Sequence, residues 1–340
     1  MPTLLLTDRD VRALLPMPEC IEAMADALRC VTAGDAVLPL RTVLRLDGTT
    51  NAFAAMPAVL GRGRGAALGA KVITVFPGNE ATAFDSHIGV VLLFDAEFGR
   101  LLAIADASSI TAIRTSAVSG LATRCLARED ASILAILGAG VLAMPHIEAM
   151  CAVRPIRSVR IWSRSGTGAG GRAHALAARV RESFGLEVTL ADSAAAAVIG
   201  ADVVCTITSS RVPVLEGRWL SPGAHVNAVG ASVKDARELD TVAVQRARLF
   251  ADRRESVLAE SGDFLIPLAE GAVGPGHLLG ELGELVTGRI DGRTSGDDVT
   301  VFKSLGLAVE DVAALRHIHE RAVSTGRGVP IELGGRREHE

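Results

Sequence analysis

Tyrosine is absent from this 340-residue chain, and aromatic residues make up only 3% of it. A proton donor must therefore be lysine, arginine, histidine, serine or a carboxylic acid, which excludes the dehydrogenases that use tyrosine. The sequence also lacks a basic run interleaved with aromatic residues, and its net charge is only −4. Nucleic-acid binding is therefore not expected.

Paired cysteines and long apolar runs are absent as well. The five cysteines are scattered and form no C-x-x-C pair, so we expect no structural zinc or other metal site. No signal peptide and no uninterrupted apolar stretch of bilayer-spanning length stands out, which predicts a reduced, cytoplasmic protein that does not bind membranes. With 340 residues, 49% of them hydrophobic, the chain is long enough for two domains.

A glycine-rich turn follows a short apolar run in residues 132–143, which read SILAILGAGVLA. The pattern predicts a buried parallel strand, a tight turn and the start of a helix. Gly138, Gly140 and Ala143 give the spacing G-x-G-x-x-A, in which Gly138 permits the turn, Gly140 lets a pyrophosphate approach, and Ala143 lets the helix pack closely. Small residues also follow strands for packing alone, so the motif by itself leaves both interpretations open.

The next predicted strand, residues 158–162, supports a dinucleotide site. Ser163, Arg164 and Ser165 follow it, where a sheet that prefers NAD usually has an acid for the ribose 2′-hydroxyl. An arginine there accommodates a 2′-phosphate, so the sequence favours NADPH, with NADH possible. The alternative is that Arg164 is a solvated loop cation.

Strands and helices alternate from residue 131 to residue 252, which predicts an α/β domain with a doubly wound parallel sheet of the Rossmann type. Ligands bind at the carboxyl ends of strands in such sheets. Thr206, Thr208 and Ser232 stand at or just after predicted strand ends, so we expect them to contact cofactor or substrate.

The N-terminal part predicts a mixed α+β domain. Residues 37–46 and 51–60 are expected to be strands, and residues 88–95 and 101–106 a hairpin. Lys71 interrupts the apolar strand 68–76, where a buried lysine needs a partner such as a ligand carboxylate. An edge-strand lysine that reaches solvent is the alternative.

Two arginines extend this candidate anion site. Arg45 shares a strand face with Arg41 and Val43 because side chains alternate along a strand. Arg114 lies among residues too small to cover a guanidinium, which favours a cleft where it binds a carboxylate through two hydrogen bonds. A helix-surface ion pair explains Arg114 equally well.

Several segments together resemble the ornithine cyclodeaminase/mu-crystallin family. They occur in order along nearly the whole chain: LGAKVITVFPGN around Lys71, TAIRTSAVSGLAT around Arg114, ILGAG at 136–140, VNAVGAS and RELD within 226–240, LGEL at 282–285, and GRTSGDDVTVFKSLG at 292–306. This resemblance is much more specific than the dinucleotide motif alone.

The resemblance implies a homodimer of two-domain subunits. Residues 1–127 with 307–340 would form the substrate-binding and dimerisation domain, and residues 128–306 the Rossmann domain. Arg45, Lys71 and Arg114 match family positions that hold the substrate carboxylate near the nicotinamide, and Ser86 matches a position that contacts the cofactor.

Two departures from the family pattern point away from ornithine. Members that cyclise ornithine carry an aspartate where this chain has Ser232, and an acid near the Met-Pro pair, where this chain has Ala54, Ala55, Met56 and Pro57. Both carboxylates that would handle a diamine are missing. The ketimine-reductase branch resembles this chain at VRIW-x-R, GAS and GRTS-x-DDVTVFKSLG.

The sequence therefore predicts an NAD(P)H-dependent reductase of cyclic ketimines that carry a carboxylate. Ornithine cyclodeaminase, an alanine- or opine-type amino-acid dehydrogenase, and a non-catalytic binding protein like mu-crystallin remain alternatives. The candidate catalytic residues are Lys71, Arg114 and Ser232, and the candidate substrate-binding residues are Arg45, Lys71 and Arg114. The candidate cofactor-binding residues are Ser86, Thr115, Gly138, Ala139, Gly140, Val141, Ser163, Arg164, Ser165, Thr206, Thr208, Ser209, Val229 and Lys303.

Overall fold

The computed structural model describes residues 2–164, 166, 168 and 170–334, without the side chains at 80 and 81. The chain forms two compact units, residues 1–114 with 307–340 and residues 115–306. The border falls inside one helix, Ala107–Leu126, whereas the sequence predicts a functional border at 127/128. That functional division stays a prediction.

Strands and helices are numbered in chain order. The strands are β1 Thr3–Leu6, β2 Ala36–Val37, β3 Thr42–Arg45, β4 Ala52–Leu60, β5 Ala67–Val75, β6 His87–Asp95, β7 Leu101–Asp106, β8 Ile133–Leu137, β9 Ser158–Trp162, β10 Glu187–Leu190, β11 Val203–Thr206, β12 His225–Ala228, β13 Ala247–Ala251, β14 Leu278–Glu281, β15 Val299–Lys303 and β16 Val329–Ile331. The helices are α1 Asp8–Leu14, α2 Met17–Ala33, α3 Ala107–Leu126, α4 Ala143–Val153, α5 Arg172–Phe184, α6 Ala194–Val198, α7 Thr241–Arg246, α8 Arg254–Glu260, α9 Gly262–Ala269, α10 Leu282–Val286 and α11 Ala308–Thr325.

The first unit is built on a mostly antiparallel sheet in the order β16-β1-β7-β6-β5-β4-β2, with β3 also paired to β4. Burial alternates along β4 and β5 because one face is covered and the other is not. Helix α11 packs against β4, β5 and β6 on the covered face. At Gly69 it comes so close that a Cβ would lie 2.7 Å from Val312 Cγ2. A side chain at position 69 would push the helix away.

The second unit is built on a parallel sheet in the order β10-β9-β8-β11-β12-β15-β13-β14. Strands β11 and β12 are buried along their whole length, as strands covered on both faces require. The order from β10 to β12 is the 3-2-1-4-5 arrangement of Rossmann sheets. The predicted α/β fold with a doubly wound sheet and a mixed α+β part is thus confirmed.

Some local predictions were wrong. The predicted strand 37–46 is divided into β2 and β3, and Pro39, which cannot donate a backbone hydrogen bond, lies in the gap. Helices α8 and α9 and strand β14, which lie in the chain between β13 and α10, were not predicted. The predicted hairpin of residues 88–95 and 101–106 is present as β6 and β7. No described helix combines the length and the apolar character that crossing a bilayer requires.

Candidate functional site

The sheet of the first unit places Arg45 and Lys71 on one face. Lys71 lies opposite Met56 of β4, and Arg45 lies opposite Ala52 of the same strand. Directly paired residues share a face, and positions 52 and 56 of one strand point the same way. Both cations therefore lie on the face that packs against α11.

Lys71 is buried, with 2% of its surface exposed. Its Nζ lies 3.0 Å from Asp311 Oδ2 and donates a hydrogen bond to Thr111 Oγ1 at 3.5 Å. Strand β5 is flanked by β4 and β6, so the edge-strand alternative for Lys71 is wrong. The partner that burial demands is a carboxylate of this chain, which the sequence did not indicate.

Arg114 is also buried and also bound to carboxylates of α11. Its Nε donates to Asp311 Oδ1 at 2.9 Å, and its Nη1 donates to Glu310 Oε2 at 2.7 Å. The helix-surface alternative for Arg114 is therefore wrong. Glu310 Oε2 also accepts from the backbone N–H of Leu307 at 3.1 Å, which ties the carboxylate to the start of α11.

These four side chains, Lys71, Arg114, Glu310 and Asp311, form what we call the cation–carboxylate cluster. Each is at most 4% exposed, and two positive charges face two negative charges. Burial of any one of them alone would cost several kcal/mol, on the order of an isolated ion in a protein interior. The sequence offered one signal for the acids: Glu310 and Asp311 adjoin Val309 and Val312 in an otherwise apolar start of a helix.

The pKa of Lys71 is lowered to about 8, chiefly because burial disfavours its charged form and secondly because Arg114 is close. The Asp311 carboxylate opposes this shift, and the charge of Arg41 adds to it. His87, which lies on the same sheet face opposite Val75, has its pKa lowered by burial and by the charge of Lys71. An amine with this pKa can give up a proton near neutral pH.

Arg45 differs from the other two predicted cations because it is exposed on β3. Arg41 is half-buried just before the same strand, and its positive charge contributes to lowering the pKa of Lys71. Arg41 and Arg45 place two guanidinium groups just before and on β3, and guanidinium groups suit an anionic ligand.

The glycine turn of the second unit has the geometry of a dinucleotide motif. Gly138 has a φ of +120°, and a Cβ there would lie 2.8 Å from Ile207 O. Its N–H donates to Trp162 O at 2.9 Å, which joins the turn to the end of β9. Gly140 is exposed, and a Cβ built on it meets nothing within 4 Å. Gly138 thus serves the turn, while Gly140 leaves open space before α4.

The ends of β11 and β12 carry the polar residues that the sequence singled out. Thr206 is fully buried, and its Oγ1 has no hydrogen-bond partner within the described part of the chain. Ser209 and Ser232 are exposed, and Val229 is buried. Thr208 is half-buried, and its hydroxyl donates to Glu238 Oε1 at 2.6 Å.

Glu238 and Asp263, which the sequence did not indicate, fix these strand ends. Glu238 accepts from the backbone N–H of Thr208 and from that of Gly230, each at 2.7 Å. Asp263 Oδ1 accepts from the N–H groups of Glu238 and Leu239 at 2.8 and 2.9 Å. Burial and the neighbouring Asp263 carboxylate raise the pKa of Glu238.

Lys303, a predicted cofactor-binding residue, belongs to this second group. It is 1% exposed, and its Nζ donates to Ala231 O at 2.6 Å and to Asp263 Oδ2 at 2.9 Å. We call Glu238, Asp263 and Lys303 the loop-anchoring cluster. Its contacts hold the turns after β11 and β12, where ligands bind in parallel sheets.

The remaining predicted cofactor residues are spread over both units. The Ser86 hydroxyl lies 3.0 Å from His87 Nδ1, and Thr115 is buried in α3. Arg164 and Val141 are exposed, whereas Ala139 and Ser163 are half-buried. Ser165 lies outside the described residues.

The residues present fit a bound dinucleotide. Gly140 leaves room beside the turn. The buried Thr206 hydroxyl, at a strand end, makes no hydrogen bond within the described part of the chain. The backbone N–H groups of residues 140–142 precede α4, where a helix start favours a phosphate, whereas the N–H of Ala143 donates to Gly140 O at 3.0 Å. The fold and these features define the class: an α/β protein whose second unit fits a dinucleotide and whose first unit buries two cations against two carboxylates.

The model of the ornithine cyclodeaminase/mu-crystallin family matches residues 1–326. This chain belongs to that family. The predicted membership is therefore confirmed, and it applies to both units of the chain rather than to the dinucleotide-binding part alone.

Individual relatives agree with the family. The chain is 36% identical over 331 residues to a Delta(1)-pyrroline-2-carboxylate reductase of Bacillus cereus, and the match covers 97% of this chain and 100% of the relative. It is 39% identical over 287 residues to the ketimine reductase mu-crystallin of Mus musculus, covering 84% of this chain and 86% of the relative. The solved structure of Thermococcus litoralis Delta(1)-pyrroline-2-carboxylate reductase in complex with NADH and L-proline superposes with a TM-score of 0.92 at 36% identity, covering 97% of this chain and all of that one.

Proposed function

We propose that this protein is an NAD(P)H-dependent reductase of cyclic ketimines that carry a carboxylate. The substrates are Δ1-pyrroline-2-carboxylate and Δ1-piperideine-2-carboxylate, and the products are L-proline and L-pipecolate. The observation that carries the proposal is the buried pairing of Lys71 and Arg114 with Asp311, in a chain that also has the dinucleotide turn at Gly138 and Gly140. The names of the two relatives and the ligands of the Thermococcus protein support the same chemistry.

The first unit binds the imino acid in this proposal. Arg114 and the exposed Arg45 hold the carboxylate, because a guanidinium binds a carboxylate through parallel hydrogen bonds. Lys71 gives a proton to the imine nitrogen and then regains one from water, a task that its pKa of about 8 suits. Ser232 contributes a hydrogen bond to the imine nitrogen or to an ordered water. This is a weaker role than that of the carboxylate which ornithine-cyclising members carry at this position.

The second unit binds the cofactor. When bound, the reduced nicotinamide supplies the hydride that ends on the imine carbon, so the C=N bond becomes CH–NH and the cofactor is oxidised. Gly138, Ala139, Gly140 and Val141 hold the pyrophosphate, while the residues after β11 and β12 bind the nicotinamide end. Arg164 binds the 2′-phosphate, and no acid occupies positions 163–165, so we propose a preference for NADPH over NADH.

The assay for this function is oxidation of NADPH by the purified protein with Δ1-pyrroline-2-carboxylate. We expect turnover, and loss of most of it in the variant Arg114→Ala. Release of ammonia from ornithine at a comparable rate would instead make the protein a cyclodeaminase. Turnover of a keto acid with an amine but not of the cyclic imine would make it a dehydrogenase of the alanine or opine type.

We also propose that the protein is a homodimer that pairs the uncovered faces of the first-unit sheets. Along β4, β5 and β6 this face carries no charged side chain, and Phe53, Ile88 and Val90 are exposed on it. The cross-strand rows Leu44–Phe53–Thr74–Ile88 and Pro57–Ala70–Leu92 make it continuous. A monomer seldom exposes so large an apolar surface.

Light scattering after size exclusion tests the dimer, with the variant Val90→Glu expected to produce monomers. A monomeric parent protein would overturn this part of the proposal. A cytoplasmic location stays a prediction from the scattered cysteines.

A further inference from the structure

Asp311 joins two cations that come from different elements of the first unit. One of its oxygens lies 3.0 Å from Lys71 Nζ on β5, and the other accepts from Arg114 Nε on α3 at 2.9 Å. Asp311 itself is fully buried on α11, so bulk solvent does not screen the bridge. A carboxylate shared in this way fixes the distance between the amine and the guanidinium.

The contacts of Lys71 also restrict the directions in which its ammonium group can donate hydrogen bonds. An ammonium group has three N–H donors. Thr111 accepts a hydrogen bond from one of them, and the Asp311 carboxylate attracts the ammonium as a close ion pair, so these two contacts restrict where the remaining donors point. A rotating lysine side chain would present those donors in many directions and would lose conformational entropy on binding a substrate.

Glu310, the neighbouring acid, has a different set of contacts. Its Oε2 binds Arg114 Nη1 and the backbone N–H of Leu307, whereas the acidic partner of the Lys71 amine is Asp311. The two acids therefore separate two effects: Glu310 orients the guanidinium, while Asp311 orients the guanidinium and the amine together.

We propose that Asp311 is a positioning residue of the reductase, which holds Lys71 and Arg114 in fixed register so that one donates a proton to the imine nitrogen while the other binds the adjacent carboxylate. This inference rests on the proposed function. In the proton step the Lys71 ammonium loses one N–H proton and the imine nitrogen gains it. The neutral Lys71 amine then takes a proton from water. Asp311 keeps its charge throughout.

Four titratable groups interact electrostatically with Lys71. They are Asp311 of α11, Arg114 of α3, Arg41 just before β3, and His87 of β6, whose lowered pKa leaves its ring neutral near pH 8. Asp311 is the one of these four that is an acid, and it raises the pKa of Lys71 against the effect of burial. Replacing Asp311 by a neutral residue should thus make Lys71 lose its proton at a lower pH.

The experiment compares the pH dependence of kcat in the parent protein and in Asp311→Asn, with Δ1-pyrroline-2-carboxylate as substrate. Because protonated Lys71 is the active form, activity should fall as the pH rises through its pKa of about 8. In Asp311→Asn we expect this alkaline limb to move down by about one pH unit or more. We also expect kcat to fall about tenfold or more, with the KM for NADPH unchanged.

Two controls lie on the same helix. Glu310→Gln should raise the KM for the imino acid without moving the alkaline limb. Glu320→Gln removes an exposed carboxylate that pairs with Arg316, and it should change neither quantity. An alkaline limb that stays in place in Asp311→Asn, or that moves equally in Glu310→Gln, would overturn the positioning role.

A double-mutant comparison tests whether Asp311 acts through Lys71. In the background Lys71→Gln, the change Asp311→Asn should lower kcat by a clearly smaller factor than it does in the parent protein, because only the contact of Asp311 with Arg114 is then left to lose. If the fall in kcat of the double variant equals the product of the falls in the two single variants, the inference is contradicted.

Folding and function are kept apart by two further measurements. If Asp311→Asn does not fold, judged by thermal unfolding, Asp311→Glu takes its place: it keeps the charge but displaces it, so kcat should fall about tenfold, and a kcat within about twofold of the parent would overturn the role. Absence of turnover in the parent protein would refute the proposed function itself. Turnover in the parent with unaltered behaviour in the Asp311 variants would refute only this inference.

Discussion

In the first unit, Glu310 and Asp311 bind the side chains of Lys71 and Arg114, whereas in the second unit Glu238 and Asp263 bind mainly backbone N–H groups. Both clusters are buried, so each carboxylate must be compensated. The difference lies in what is held: the cation–carboxylate cluster fixes groups able to do chemistry, and the loop-anchoring cluster fixes the turns on which a ligand rests.

The two clusters also differ in charge. The cation–carboxylate cluster has two cations and two acids, while the loop-anchoring cluster has Lys303 with two acids. In the loop-anchoring cluster, burial and the neighbouring Asp263 carboxylate raise the pKa of Glu238. A substitution should therefore cost most where it leaves a full charge unpaired, and less where it leaves a backbone amide unpaired.

The largest effect is expected from Arg114→Ala, which leaves Glu310 and Asp311 buried without their shared cation. Removing one partner of a buried ion pair costs about 3–5 kcal/mol of folding free energy. Urea unfolding should detect the loss. Arg316→Ala, which removes an exposed partner of Glu320, is the matched control and should cost less than about 1 kcal/mol. Equal costs for the two variants would mean that the cluster is not compensating buried charge.

Glu238→Ala should have the next largest effect. It leaves the N–H groups of Thr208 and Gly230 without their acceptor, at a cost of about 2–3 kcal/mol. Because the turns after β11 and β12 loosen, the KM for NADPH should rise while the KM for the imino acid stays near its parent value. Glu216→Ala, which removes a half-buried acid of the same unit that pairs with Arg218, should leave both KM values unchanged. A larger change in the KM for the imino acid would erase the distinction between the two clusters.

A pair of glycine variants in the second unit distinguishes an effect on NADPH binding from an effect on the stability of the turn. Gly140→Val should weaken NADPH binding about tenfold without destabilising the fold, because a side chain there meets only open space. Gly138→Ala should lower the unfolding temperature, because of its φ of +120° and the 2.8 Å approach to Ile207 O. Fluorescence titration of NADPH and thermal unfolding measure the two effects. Normal NADPH affinity in Gly140→Val would argue against a phosphate at this turn.

The smallest effect concerns the pH dependence of stability. Burial lowers the pKa of Lys71 from 10.5 to about 8, so between these values the unfolded chain holds a proton that the folded protein has released. The stability of the parent protein relative to Lys71→Met should therefore increase as the pH rises from about 8 to 10. Urea unfolding at several pH values measures it, and the chain has no tyrosine to titrate in the same range. Lys234→Met, at an exposed lysine, should show no such trend.

Much of the fold could be predicted because its signals are local. The apolar run before Gly138 and the alternation of strands and helices identified the parallel sheet, and the hairpin of β6 and β7 had a turn between two apolar runs. The segment from α8 to β14 could not be predicted in this way, since its helices are short and Pro267 interrupts the pattern inside α9. Lys71 and Arg114 were found because a charge among apolar or small residues needs a partner.

The identity of those partners was not a local property. By itself the sequence determined the dinucleotide turn, the class of the two units and the cations that needed compensation, because each depends on residues close together in the chain. The tertiary structure decided that Asp311 bridges Lys71 and Arg114, and that Glu238 anchors Thr208 and Gly230. Asp311 lies 240 positions beyond Lys71 and 197 beyond Arg114. Only packing α11 against β5 brings these charges within hydrogen-bonding distance, and no periodicity along the chain records that contact.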